Sequence, residues 1–246
     1  MATDRLIADA RRLREDFVGS RGYGLAYGSH AYSHSSTDSD LDLLFVGPAL
    51  LSGRLDELVR AVIALHRKHA LRLDVEVAHE VKLHATEVDV RRALALRSFT
   101  ITDVGALYIQ PVVPEPWFLN SSAFKLRLVL NALTTPHLLL GGDTDEYRQH
   151  RAAAERSVAL IGLSLLDERR FFTLPDAAAP LVGEADGATG EDFLGYQNTP
   201  ALLAMLSRGV TLLIREGVVR PAGEGRFMQR ITMRQQLVAA LARSEP

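Results

Sequence analysis

The chain has no cysteine, which removes disulfides and thiolate metal sites. Any metal must therefore be held by carboxylate, imidazole or carbonyl groups. No uninterrupted apolar run approaches the roughly 18 residues that a membrane helix needs, and the opening MATDRLIADARRLREDF has none of the apolar h-region of a signal peptide. These absences point to a cytoplasmic protein that does not engage a membrane. Positive charge is not in excess either: the formal net charge is −2. Broad, salt-driven nucleic-acid binding needs a basic face, so a local basic groove is the only such route left open. There is no internal repeat and no signal of oligomeric state. What remains is 246 residues, 47% hydrophobic and 24% charged, enough for one large domain or two modest ones with an ample core.

Periodicity organises the chain into two parts. Leu6, Ile7, Ala10, Leu13 and Phe17 recur at helical spacing over 2–18, followed by a turn marked by Gly19, Gly22 and Gly24 and a short apolar run, Leu25 to Tyr27. LDLLFV (41–46) has strand length and stops at Gly47-Pro48. Residues 54–69 read as an amphipathic helix. In LRLDVEVAHE, Leu71, Leu73, Val75 and Val77 alternate with polar residues, which predicts a strand with one polar face. Beyond this, 87–97, 122–134, 146–166, 200–216 and 229–243 read as helices, and 172–192 as a long flexible loop. The expected fold is α/β (α+β): a small mixed sheet with helical cover in residues 1–115, then an all-helical domain, 116–246. Pro111–Pro116 serves as a hinge between them.

The acids of YGSHAYSHSSTDSDLDL (27–43) are the unusual feature. Residues two apart on a strand share a face, so Asp40 and Asp42 at the head of a buried strand repel unless they share a proton or a cation. Asp74 and Glu76 repeat that arrangement on the second predicted strand. If the strands adjoin, three or four carboxylates converge, a hard oxygen set suited to Mg²⁺ or Mn²⁺. Gly28-Ser29 adds a tight turn whose backbone N–H groups and hydroxyl can cradle phosphate. Carboxylate-held metal beside such a turn is equipment for phosphoryl or nucleotidyl transfer. The plain alternative is an exposed D-x-D strand face next to a common Gly-Ser dipeptide.

Taken jointly, Gly28-Ser29, ten intervening residues that end in Ser39, then Asp40, Leu41, Asp42 and Leu43 opening an apolar strand resemble the signature of DNA polymerase β-like nucleotidyltransferases. Ala31 also falls where members often carry alanine, and Ser33 departs from a frequent glycine. The match covers about residues 24–78. Size and layout resemble the small-molecule adenylyltransferases that inactivate aminoglycosides and lincosamides. The resemblance implies that Asp40 and Asp42 hold two Mg²⁺ (or Mn²⁺) ions on an NTP, ATP first among them. It further implies that Gly28 and Ser29 bind the β- and γ-phosphates. A third acid would complete one metal site and act as base, Asp74 being the first candidate and Glu76 the second, since relatives often use glutamate there. Lys125 is the candidate cation for the triphosphate from the helical half. The implied reaction moves NMP to a hydroxyl of a small molecule and releases pyrophosphate. The alternatives are a protein or tRNA acceptor, as in toxin-like members, or a degenerate nucleotide-binding module.

Other polar residues read more simply. His30 and His34 are loop histidines beside the phosphate turn, and His66, His69, His79 and His84 are expected at the surface. Asp143, Asp145 and Glu146 read as a helix start, where acids suit the dipole. Asn198-Thr199-Pro200 reads as a turn and cap, the alternative being that Tyr196, Gln197 and Asn198 line a pocket.

Overall fold

The computed structural model describes residues 2–28, 41–73, 80–94, 98–101, 107–110, 121–164, 166, 170–182, 196 and 200–229. It is a mixed α/β structure in which the chain first forms α1 (Ala2–Val18), β1 (Tyr23–Tyr27), β2 (Asp42–Gly47), α2 (Ser52–Lys68), α3 (Glu80–Leu83), β3 (His84–Thr86) and α4 (Glu87–Leu94). Next come β4 (Ser98–Ile101), β5 (Leu107–Gln110), α5 (Ser121–Thr134), β6 (His137–Gly142), α6 (Thr144–Ser164) and β7 (Phe171–Phe172). The series closes with α7 (Leu174–Ala178), a 3-10 turn (Ala179–Leu181), α8 (Pro200–Arg215), β8 (Val219–Pro221) and β9 (Phe227–Gln229). No described helix is long and apolar enough to cross a membrane.

The chain divides into two compact units, Met1–Ala93 with Asn120–Arg151, and Leu94–Leu119 with Ala152–Pro246. In the first, a four-stranded sheet runs β3-β2-β1-β6. β1 pairs antiparallel with both β2 and β6, and β3 lies parallel to β2. All five residues of β1, YGLAY, are buried, as a central strand covered on both faces requires. Ala26, Leu43, Phe45 and Leu140 pack on one side with Leu6 and Ala10 of α1 and Leu58, Val62 and Leu65 of α2. Each fully buried Leu or Val there contributes about 1.5–3 kcal/mol. Tyr23, Leu25 and Tyr27 alternate with these residues and so take the opposite face, where Tyr23 meets Tyr147 of α6 edge-on at 5.5 Å.

In the second unit, β4 pairs antiparallel with β5, and β7, β9 and β8 form a three-stranded antiparallel sheet. α7 begins with a reciprocal capping box between Thr173 and Asp176. Phe172 stacks on Phe227 at 5.5 Å. Arg208 on α8 pairs with the buried Glu155 of α6 at 2.9 Å.

These elements correct several sequence expectations. The region after 116 is not all-helical: β6 crosses back into the N-terminal sheet, and β7 to β9 build a sheet of their own. HLLLGG has no alternation, and strands of two or three residues are too short for periodicity to register. Through β6, paired with β1, the first compact unit takes in residues from 120 to 151. Part of the expected 172–192 loop is helical, through α7 and the 3-10 turn. Of the predicted strand over 71–78, Leu71–Leu73 have no regular structure, and 74–79 lie outside the described residues. Gln229, the expected start of a helix, lies in β9, and 230–246 are outside the description.

Candidate functional site

The β1–β2 register assembles the part of the motif that the structure describes. The last pair of that ladder is Tyr27↔Asp42, so Gly28, one residue on, falls beside the Asp42 side chain. Gly28 has φ +77°, and a Cβ placed on it would stand 2.5 Å from Asp42 Oδ2. Only glycine takes that backbone without strain, and only glycine leaves this carboxylate its position. The result is a left-handed turn with the Asp42 carboxylate packed against it.

Behind Asp42, Leu41 is fully buried. Its N–H donates to His66 Nε2 at 3.3 Å, while His66 Nδ1 lies 2.9 Å from the Val62 carbonyl. A carbonyl only accepts and an amide N–H only donates, so the ring carries its proton on Nδ1 and presents a lone pair at Nε2. His66 is 0% exposed. Expected at the surface, it is instead part of the buried stripe of α2, eight residues after Leu58 and four after Val62. His84 is also buried, its Nε2 donating to the Pro48 carbonyl at 3.0 Å; burial pushes its pKa below 6.5, with the Pro48 bond opposing. His69 shares Asp9 with Lys68, each at 2.7 Å. His66 and His84 escaped sequence reasoning because a ring satisfied by backbone groups has no spacing signature.

Across the sheet, Tyr27 also pairs with His137 of β6. Directly opposed residues of antiparallel strands share a face, so Asp42, Tyr27 and His137 form one row at one end of the sheet. His137 Nδ1 donates to the Thr135 carbonyl at 2.7 Å, and its Nε2 lies 2.6 Å from the Tyr147 hydroxyl, to which Arg151 donates at 3.2 Å. His137 and Tyr147 were not sequence candidates; the strand that carries His137 was not predicted. Tyr23 at the other end of β1 bonds His150 Nδ1 at 3.1 Å. Burial, and then Glu146 and Tyr147, pushes the Tyr23 hydroxyl far above its usual 10. Burial lowers His150, with Glu87 opposing.

Lys125 lies 3.7 Å from Asp89, with side chains 22% and 24% exposed. The same Asp89 carboxylate accepts from the Thr86 N–H and hydroxyl, each at 2.8 Å. Lys125 is thus tied to the start of α4. Asp143 Oδ1 accepts from the Asp145 and Glu146 N–H groups at 3.1 and 2.9 Å, the helix start read from the sequence. Tyr196 is buried, and α8 begins at Pro200.

Ser29, His30, His34, Asp40, Asp74, Glu76, His79, Gln197, Asn198 and Thr199 lie outside the described residues. Of the expected metal ligands only Asp42 is described, and among the described residues no group of three or more His, Asp or Glu is arranged to hold a metal ion. The described part of the motif is thus one carboxylate, Asp42, packed against the left-handed turn at Gly28. The chain matches no protein-family model and no curated protein.

Proposed function

We propose that the protein is a metal-dependent nucleotidyltransferase that moves NMP from an NTP, ATP first among them, to a hydroxyl of a small molecule and releases pyrophosphate. The observation that carries the reading is the Gly28–Asp42 juxtaposition: a positive-φ glycine lies under a carboxylate at the mouth of the β1–β2 pair. A D-x-D pair on a merely solvated strand face does not call for a glycine held in that backbone under its second acid.

In this reading Asp40 and Asp42, with Asp74 or Glu76, would hold Mg²⁺, which would supply charge neutralisation for the transfer. The Gly28-Ser29 turn binds the β- and γ-phosphates through backbone N–H groups and a hydroxyl. The third acid takes the proton of the acceptor hydroxyl. The hydroxyl oxygen bonds to the α-phosphorus in line with the breaking bond to pyrophosphate. Lys125 is held by Asp89 at 3.7 Å and is given no part in this reaction.

The test is transfer of label from α-³²P NTPs to a panel of hydroxylated aminoglycosides and lincosamides, with tRNA and protein as comparison acceptors. Label on a small molecule supports the reading. Label confined to tRNA or protein moves the acceptor to that class, and no transfer with any NTP and Mg²⁺ or Mn²⁺ contradicts the reading.

A further inference from the structure

Asp40 and Asp42 flank Leu41, and the backbone there is held from an element outside the motif. Leu41 precedes the first β1–β2 pair, so among the described residues the ladder offers its N–H no strand partner. The residue is fully buried, and an unsatisfied N–H in such a place is strongly unfavourable. The acceptor it has is His66 Nε2 at 3.3 Å. The ring is held from its other side by the Val62 carbonyl at 2.9 Å and is closed off from solvent. Leu58, Val62 and Leu65 make the rest of that helix stripe apolar. A leucine at 66 would suit it, so the ring's distinctive contribution is its pair of directed bonds.

We propose that His66 is a positioning residue for the Asp42 carboxylate: its ring ties the backbone at Leu41, next to Asp42, to α2 and fixes where that acid is presented. This rests on the nucleotidyl-transfer reading above. The ring touches neither substrate nor metal in this account; it acts through Leu41. Misplacement of reacting groups by about 1 Å costs on the order of a hundred-fold in rate, so a loosened Leu41 lowers kcat more than it raises KM.

The test compares His66→Gln, whose side-chain oxygen reaches the Nε2 position, with the shorter His66→Asn, which can serve Val62 but not Leu41. Folding is followed by circular dichroism. Metal binding is read by Mn²⁺ electron paramagnetic resonance with a non-hydrolysable NTP, and turnover by pyrophosphate release. His66→Gln is expected to stay within a few-fold of the wild type. His66→Asn is expected to fold, bind Mn²⁺ more weakly and lose about a hundred-fold in kcat, with KM for the NTP little changed. A folded His66→Asn with wild-type kcat and Mn²⁺ affinity overturns the proposal while leaving nucleotidyl transfer intact. Should His66→Asn not fold, the wild-type protein decides: a ¹⁵N coupling across the hydrogen bond from Leu41 to His66 Nε2 is expected, and its absence overturns the proposal. A wild type that binds no Mn²⁺–NTP and releases no pyrophosphate removes the parent reading, and this inference with it.

Discussion

Gly28 and Asp42 meet at the ends of two neighbouring strands so closely that a methyl group on residue 28 would stand 2.5 Å from the Asp42 Oδ2. The obstructing atom is the tip of a side chain, so a substituted protein relieves the clash by moving the carboxylate rather than the sheet. Gly28→Ala should therefore cost only about 1–2 kcal/mol of stability, from the left-handed backbone, and about a hundred-fold in activity from the displaced acid. Thermal unfolding and pyrophosphate release measured on the same preparation check this. A variant that loses stability and keeps its rate would separate the turn from the chemistry.

The Lys125–Asp89 pair predicts a structural phenotype. Both side chains are roughly a quarter exposed, and pairs of this kind contribute about 0.5–1 kcal/mol after solvent screening. Lys125→Met should lower stability by that amount and leave KM for the NTP unchanged. A KM raised about ten-fold, worth about 1.4 kcal/mol of binding, would instead assign Lys125 to the triphosphate, as the family resemblance implies.

Gly209 tests the packing of α8 on α6. A Cβ there would run into the Glu155 backbone carbonyl and come within 2.8 Å of the Ala159 Cβ. Alanine gains about 1 kcal/mol of helix propensity over glycine, but overpacking against groups that cannot rotate away costs about 1–3 kcal/mol. The clash should dominate, and Gly209→Ala should lower the urea midpoint.

Acid should destabilise the fold before it titrates ordinary carboxylates. Burial holds His84 and His150 below their usual 6.5. As pH falls through 6.5 the unfolded chain takes up protons that the folded chain refuses, so this stability is full above 6.5 and is lost on acidification. Glu146 has the opposite sign: burial, then Asp143 and Glu87, raises its carboxyl above 4.5, favouring the fold on the acid side of its own window. The melting temperature should fall from about pH 7.5 to about pH 5.5, and His150→Gln should flatten that slope. A wild-type melting temperature that rises over this range would contradict the assignment.

Most helices were legible because Leu6, Ala10, Leu58, Val62 and Leu65 repeat at the period of a buried face, and β2 because LDLLFV is an apolar run bounded by Gly47-Pro48. β6 was not: its partner β1 lies more than a hundred residues earlier, and HLLLGG shows no period that would call for that pairing. In the site, Gly28 and Asp42 were named from sequence order and the register brings them together. His66 was missed because its role depends on Val62 and Leu41, backbone groups whose meeting is set by tertiary packing. The row that joins Asp42 and Tyr27 to His137 was missed for the same reason as β6.

The most direct test is Mg²⁺-dependent pyrophosphate release from NTP by wild type and Asp42→Asn, with circular dichroism on both. The account predicts release by the wild type that stops when Mg²⁺ is chelated. It also predicts a folded Asp42→Asn at least about a thousand-fold slower, a barrier raised by about 4 kcal/mol. A folded Asp42→Asn that releases pyrophosphate at the wild-type rate would contradict it.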